Sequence, residues 1–205
     1  MEIFSILGAG FLFGIKHAFD PDHMAALAAL QVESNERGHA GKGALKRGLF
    51  WSGGHFAALL IAAAALFALD LKIPVSMQKV LELVIAGILL YMAVKIIFSP
   101  RAYLPGARII HNHPPAGIHS HKPSFFIGFI HGLAGGAVVA LAAALISSPL
   151  LGFLYIIVLS AGVTAGTACA SLGIGLAAKR FYLISKISFG LFSAAAGATL
   201  TLSVF

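Results

Sequence analysis

The 205 residues include one cysteine, Cys169, one tryptophan, Trp51, and only seven acidic side chains. A single cysteine excludes a disulfide framework, a thiolate metal cluster and a CxxC redox relay. Charged residues of both signs make up 10% of the chain, against roughly 25% in soluble domains. That scarcity, with a mean hydropathy of +0.95, excludes an ordinary water-soluble fold. Disorder is excluded too, because 59% of the residues are hydrophobic and disordered segments are poor in apolar surface. A polytopic membrane protein is what remains. The formal net charge of +7 does not point to nucleic acid, because the basic residues lie in short loops between apolar runs. There a basic excess reports orientation in the bilayer.

Crossing the hydrocarbon takes about 20 apolar residues in a helix. Six runs qualify, over 3–30, 49–69, 75–98, 124–146, 150–178 and 181–205. The first is too long and too charged for a cleaved signal segment. Arg37, Lys42, Lys46, Arg47, Arg101, Arg108, Lys122, Lys179, Arg180 and Lys186 follow the first, third and fifth runs, whereas only Lys72 and Lys79 lie between the second and third. The bias places the first set in the cytoplasm. An even number of spans then leaves both termini outside the plasma membrane.

The chain also repeats itself. A shift of 114 residues aligns Gly14 with Gly128 and His17 with His131, and, without a gap, Gly48 with Gly162 and His55 with Cys169. Three spans per half is an odd number, so the second half is expected upside down relative to the first. Carriers built this way bind their cargo near the midplane, where broken helices of the two repeats meet. The expected fold is all-α, six transmembrane helices as a 3+3 inverted repeat with a broken first helix. Its parts are a three-helix repeat over 1–98, a His-rich cytoplasmic linker over 99–123 and a second three-helix repeat over 124–205.

The first run carries His17-Ala-Phe-Asp20-Pro21-Asp22-His23. His17 lies roughly 21 Å into that run at 1.5 Å per residue, which puts the group at or just past mid-bilayer. A charge there costs roughly 2.5–3.5 kcal/mol, so these residues do not serve insertion. His17 and Asp20 share a helix face. Pro21 removes a helical hydrogen bond and pushes Asp20 out of helical geometry. A break is expected that turns Asp22 and His23 back towards His17. Imidazole with carboxylate oxygen suits borderline divalent ions such as Ni(II), Co(II) or Zn(II), and two aspartates match a 2+ charge. The plain structural alternative is that these residues cap two half-helices and pair with Lys16.

Three further groups join the candidates. His55 follows Gly53-Gly54 in the second run, and its plain reading is an interior histidine bonded across helices. His131 precedes Gly132-Leu-Ala-Gly135-Gly136 and is expected to line or gate the site. The linker holds His111, His113, His119 and His121, a tract that can capture metal without a fold. Cys169 faces the site if the ungapped repeat holds, although a buried cysteine is ordinarily a small hydrophobe. Gly10-xxx-Gly14 and Gly162-xxx-Gly166 permit close helix contact, within the chain or in a homo-oligomer.

The string His17-Ala-Phe-Asp-Pro-Asp-His23 resembles the HAxDxDH signature of the nickel/cobalt transporter superfamily. Trp51-Ser-Gly-Gly-His55 resembles that family's second motif, and the length is similar to its shorter UreH-like or NicO-type branch. The resemblance implies a nickel or cobalt permease with Ni2+ or Co2+ as the transported ion and no prosthetic group. The ion-handling residues it implies are His17, Asp20, Asp22, His23 and His55. The residues leave open a proton-linked exporter of an anion or small molecule, and an intramembrane metal-dependent hydrolase. Against the hydrolase, the chain has no HExxH motif.

Overall fold

The computed structural model describes residues 2–36, 42–69, 74–98, 122–135, 146 and 148–204. All secondary structure among the described residues is helical: α1 Glu2–Ala18, α2 Pro21–Glu36, α3 Lys42–Phe67, α4 Val75–Phe98, α5 Lys122–Ala134, α6 Pro149–Arg180 and α7 Tyr182–Val204. Four of them, α3, α4, α6 and α7, are long and apolar enough to cross a membrane, and the bent α1–α2 pair counts as a fifth. The run expected over 124–146 is described only as α5 and Ile146, so its crossing lies largely outside the described residues. The linker with His111, His113, His119 and His121 lies outside them as well.

The expected break in the first run is present, and its local cause is visible. Phe19 and Asp20 donate their amides to the carbonyls of Lys16 and His17 at 3.0 Å, which tightens the end of α1 into a single turn. Asp20 then accepts from the amide of Met24 at 3.0 Å, so it stands as the N-cap and Pro21 as the first residue of α2, where its missing N–H costs nothing. The two helices meet at a bend of 55°. From Ala25 to Val32 every residue of α2 is buried, as befits a stretch that is apolar all round but for Gln31 and runs through the interior of a bundle. Ser193 of α7 donates to the Ala25 carbonyl at 3.2 Å.

The start of α3 differs from expectation. It begins at Lys42, seven residues before the apolar run, and its first turns cover Arg47 rather than leaving it in a loop. The buried Arg47 donates from Nε and Nη2 to Gln31 Oε1 at 3.1 and 2.8 Å. Gln31 in turn donates to the Ala44 carbonyl at 3.0 Å. A charge satisfied in this way no longer marks the edge of a helix. Large apolar side chains such as Phe4, Phe98, Leu150 and Leu202 stand exposed on the outside, where lipid would meet them.

Two helix pairs pack at backbone contact. A methyl group on Gly14 would collide with the Leu159 carbonyl, and one on Gly162 with the Phe11 carbonyl, so α1 and α6 touch through glycine on both sides. The α3–α5 pair does the same, Gly54 against the Phe125 carbonyl and Gly128 against that of Trp51. Phe11 answers Phe125, and Gly14 answers Gly128, at the expected offset of 114. Trp51 answers Leu159, and Gly54 answers Gly162, at 108. The order of buried, half-buried and exposed positions from Trp51 to Ala63 recurs position for position from Leu159 to Ser171. The ungapped shift therefore does not extend past the first helix of each half, because the second half is six residues shorter between the matched helices. Cys169 corresponds to the exposed Ile61 and is itself exposed. It does not face His55; Val163 stands in the place of that histidine.

Candidate metal centre

Three elements meet at the break. The last turn of α1 presents His17, the first turn of α2 presents Asp22 and His23, and α3 presents Trp51 and His55 one helical turn apart. The last turn of α5 adds His131. The ring of His17 lies 4.4 Å from that of His23 and 5.7 Å from that of His55, centre to centre. His23 lies 5.3 Å from His55 and 5.5 Å from His131. One nitrogen from each of His17, His23 and His55 falls within 4.8 Å of the other two. His131 borders this trio from the α5 side, next to His23.

His23 and His55 are within hydrogen-bond reach across α2 and α3, as the plain reading of His55 expects, and the same spacing also suits a shared ion. Nε2 of His23 and Nε2 of His55 lie 3.3 Å apart. Two nitrogens on one tetrahedral ion at about 2.0–2.1 Å would be about 3.3 Å apart. His17 Nδ1 donates to Asp20 Oδ2 at 2.6 Å, which leaves its Nε2 as the open lone pair. His131 Nδ1 donates to the Ile127 carbonyl at 3.0 Å and likewise leaves Nε2 open. A carboxylate or carbonyl on the far nitrogen is the usual arrangement behind a metal-binding imidazole, because it fixes tautomer and ring orientation.

Buried polar atoms without a partner gather here. Among the described residues seven such side-chain atoms occur, and five belong to this cluster: His17 Nε2, His23 Nδ1, His55 Nδ1, His131 Nε2 and Trp51 Nε1. Each costs roughly 1–3 kcal/mol if it stays unpaired. Their concentration in one place fits a cluster built to receive something from outside the chain.

The two aspartates sit differently from the histidines. The Asp20 side chain is 42% exposed and turned to His17, so in this arrangement it orients that imidazole and stands outside the nitrogen trio. Asp22 Oδ1 lies 3.1 Å from His23 Nδ1, with its side chain 31% exposed, close enough to offset positive charge in the cluster but not aligned as a hydrogen bond. Lys16 is exposed and both carboxylates face histidines, so the lysine pairing of the plain alternative is not what they make, while its capping part holds for Asp20 at the start of α2. Helix ends add to the electrostatics. The negative C-terminal ends of α1 and α5 approach the histidines, while the positive N-terminus of α2 is offset by Asp22 in its first turn. The ring of Trp51, absent from the expected ligands, packs against three of the four imidazoles. Its spacing of four from His55 was the signal for a shared face.

Over 173 residues the chain is 32% identical to the urease accessory protein UreH of Bacillus sp. (strain TB-90), an alignment that spans 81% of this chain and 74% of that protein. The chain belongs to the UreH-like branch of the nickel/cobalt transporter superfamily. No family model and no solved structure matches it. In this UreH-like chain the residues of the signature motif take different positions. His17 and His23 bring nitrogens together from opposite sides of a helix break, Asp20 holds the first of them, and Asp22 places a negative charge beside the second.

Proposed function

We propose that this protein carries a divalent transition-metal ion, Ni2+ or Co2+, across the plasma membrane. The observation that carries this reading is the convergence of nitrogens from His17, His23 and His55 at a helix break inside an apolar bundle. Three neutral imidazoles suit a borderline ion and disfavour Mg2+ or Ca2+, which take oxygen ligands. Asp20 and Asp22 bring two negative charges to the edge of the site, so the loaded centre approaches neutrality without thiolate chemistry. Their partial exposure provides the approach by which a hydrated cation is drawn in before imidazoles replace its water. His131, from the other half of the chain, is placed to take the ion over or complete its coordination. The printed name of the relative, a urease accessory protein, is in keeping with nickel as the cargo.

The same reading includes six spans in a 3+3 inverted repeat, supported by the matched glycine contacts of α1–α6 and α5–α3. It places both termini outside and the linker over 99–123, with His111, His113, His119 and His121, in the cytoplasm as an accessory capture tract. Rocking of the two repeats about the fixed histidines would open the site to each side in turn. The protein acts as a carrier and not as an enzyme.

The test is metal binding and flux together. Purified protein is expected to bind Ni2+ or Co2+ by calorimetry, and proteoliposomes to move the ion. His17→Ala, His23→Ala and His55→Ala are each expected to abolish both. Flux that persists in all three variants would remove the site from the transport path.

A further inference from the structure

Trp51 is fully buried and its carbonyl is pressed by Gly128 of α5, so neither its backbone nor its ring has room to retreat. Its indole stacks on the His55 ring at 5.3 Å and 23°. It meets His23 edge-on at 5.0 Å and 69°, and lies tilted to His131 at 5.6 Å and 59°. The wall of the centre is therefore one aromatic plane shared by imidazoles from α2, α3 and α5. Its polar edge is unanswered, because Nε1 is buried and has no acceptor. Buried tryptophan N–H groups usually find one. No carboxylate takes that role, since Asp20 is engaged by His17 and Asp22 lies against His23.

Resting on the metal-carrier reading above, we propose that Trp51 is the positioning residue of the centre. Its face sets the angles of His55, His23 and His131, and its N–H donates to a water of the hydration shell that the ion keeps. Three nitrogens leave coordination positions open on Ni2+ or Co2+, and oxygen from water fills such positions. The indole donor would fix that water, so the ion is held without being stripped bare. This makes Trp51 a determinant of how many waters stay bound, and hence of which ions are accepted.

Co2+ is the probe, with full-length protein in detergent. Trp51 is the only tryptophan, so its emission is a native reporter. In the wild type, saturation with Co2+ is expected to quench that emission with the same Kd that calorimetry gives. Trp51→Phe keeps an aromatic ring and deletes the N–H together with the five-membered ring of the indole. It is expected to melt below the wild type, because the smaller ring leaves a cavity, to bind Co2+ about tenfold more weakly, in the range for a lost outer-shell partner, and to shift the visible Co2+ absorption as the bound water changes. If the wild type binds Co2+ and its emission is not quenched, or if Trp51→Phe keeps both affinity and spectrum, Trp51 is only packing and the inference falls. If the wild type binds neither Co2+ nor Ni2+, the metal-carrier reading itself fails; if it binds Ni2+ alone, the same quenching and affinity comparison is read with Ni2+. Should Trp51→Phe not fold, benzothienylalanine at position 51, which keeps the bicyclic shape and lacks the N–H, gives the same comparison, and unchanged affinity and spectrum there overturn the inference.

Discussion

The segments on either side of the linker pack through matched glycine contacts and differ in chemistry. In the first, Asp20-Pro21 breaks the helix after His17, and the next turns supply Asp22 and His23. In the second, α5 ends at Ala134 after His131 and a turn at Gly135, and no acidic residue follows before α6. His55 on α3 is answered by Val163 on α6. The cluster thus draws three imidazoles from before the linker, His17, His23 and His55, and one from after it, His131. Asp20-Pro21-Asp22 combines a break with negative charge, whereas the described end of α5 at Gly135 carries no carboxylate.

The sharpest way to break this comparison is to remove ligands from each half. His55→Ala or His23→Ala is expected to weaken Ni2+ binding by more than about 100-fold, beyond the range of an orienting partner, whereas His131→Ala costs about tenfold. Equal losses in calorimetry would mean that the halves contribute alike. The scaffold should show the opposite symmetry. Gly54→Ala drives a methyl into the Phe125 carbonyl and Gly162→Ala into that of Phe11. Each is expected to destabilise by about 1–3 kcal/mol, as overpacking does, with closely similar drops in thermal melts.

A smaller effect separates ligand from orienter within the first half. Asp20→Asn keeps an oxygen that can accept from His17 Nδ1 and loses the negative charge. Ni2+ affinity is expected to fall about tenfold, with the visible spectrum of bound Co2+ unchanged. A changed spectrum would put Asp20 in the coordination sphere itself.

Much of this was readable from residue order. Length and hydropathy gave the bounds of α4 without error, because an apolar run flanked by Lys72, Pro74 and Ser99 has few other solutions. Asp20-Pro21 announced the break because both residues act locally. The start of α3 was hidden, since Lys42, Lys46 and Arg47 read as loop until Gln31 is seen to satisfy the guanidinium. The partition between Asp20 and the histidines was hidden for a different reason. Spacing of three says that His17 and Asp20 share a face, and ligand and orienter share faces equally well. Cys169 was misplaced because an ungapped repeat assumes equal connections, and the shorter second half moves the register by six.

The finest test uses two positions that correspond at the offset of 108 and face outward. Gly53 and Ala161 are both exposed, and a methyl added at Gly53 meets no atom within 4 Å. Glycine in a helix interior costs roughly 0.5–1 kcal/mol relative to alanine. Gly53→Ala is therefore expected to raise stability by about that amount and Ala161→Gly to lower it by about the same, read as opposite shifts in melting temperature. Transport should not change in either. If Gly53→Ala instead lowers the melting temperature while Ala161→Gly behaves as expected, α3 at Gly53 sits in a tighter setting than α6 at Ala161, and the position-for-position match of the two helices would end at the residues beside His55.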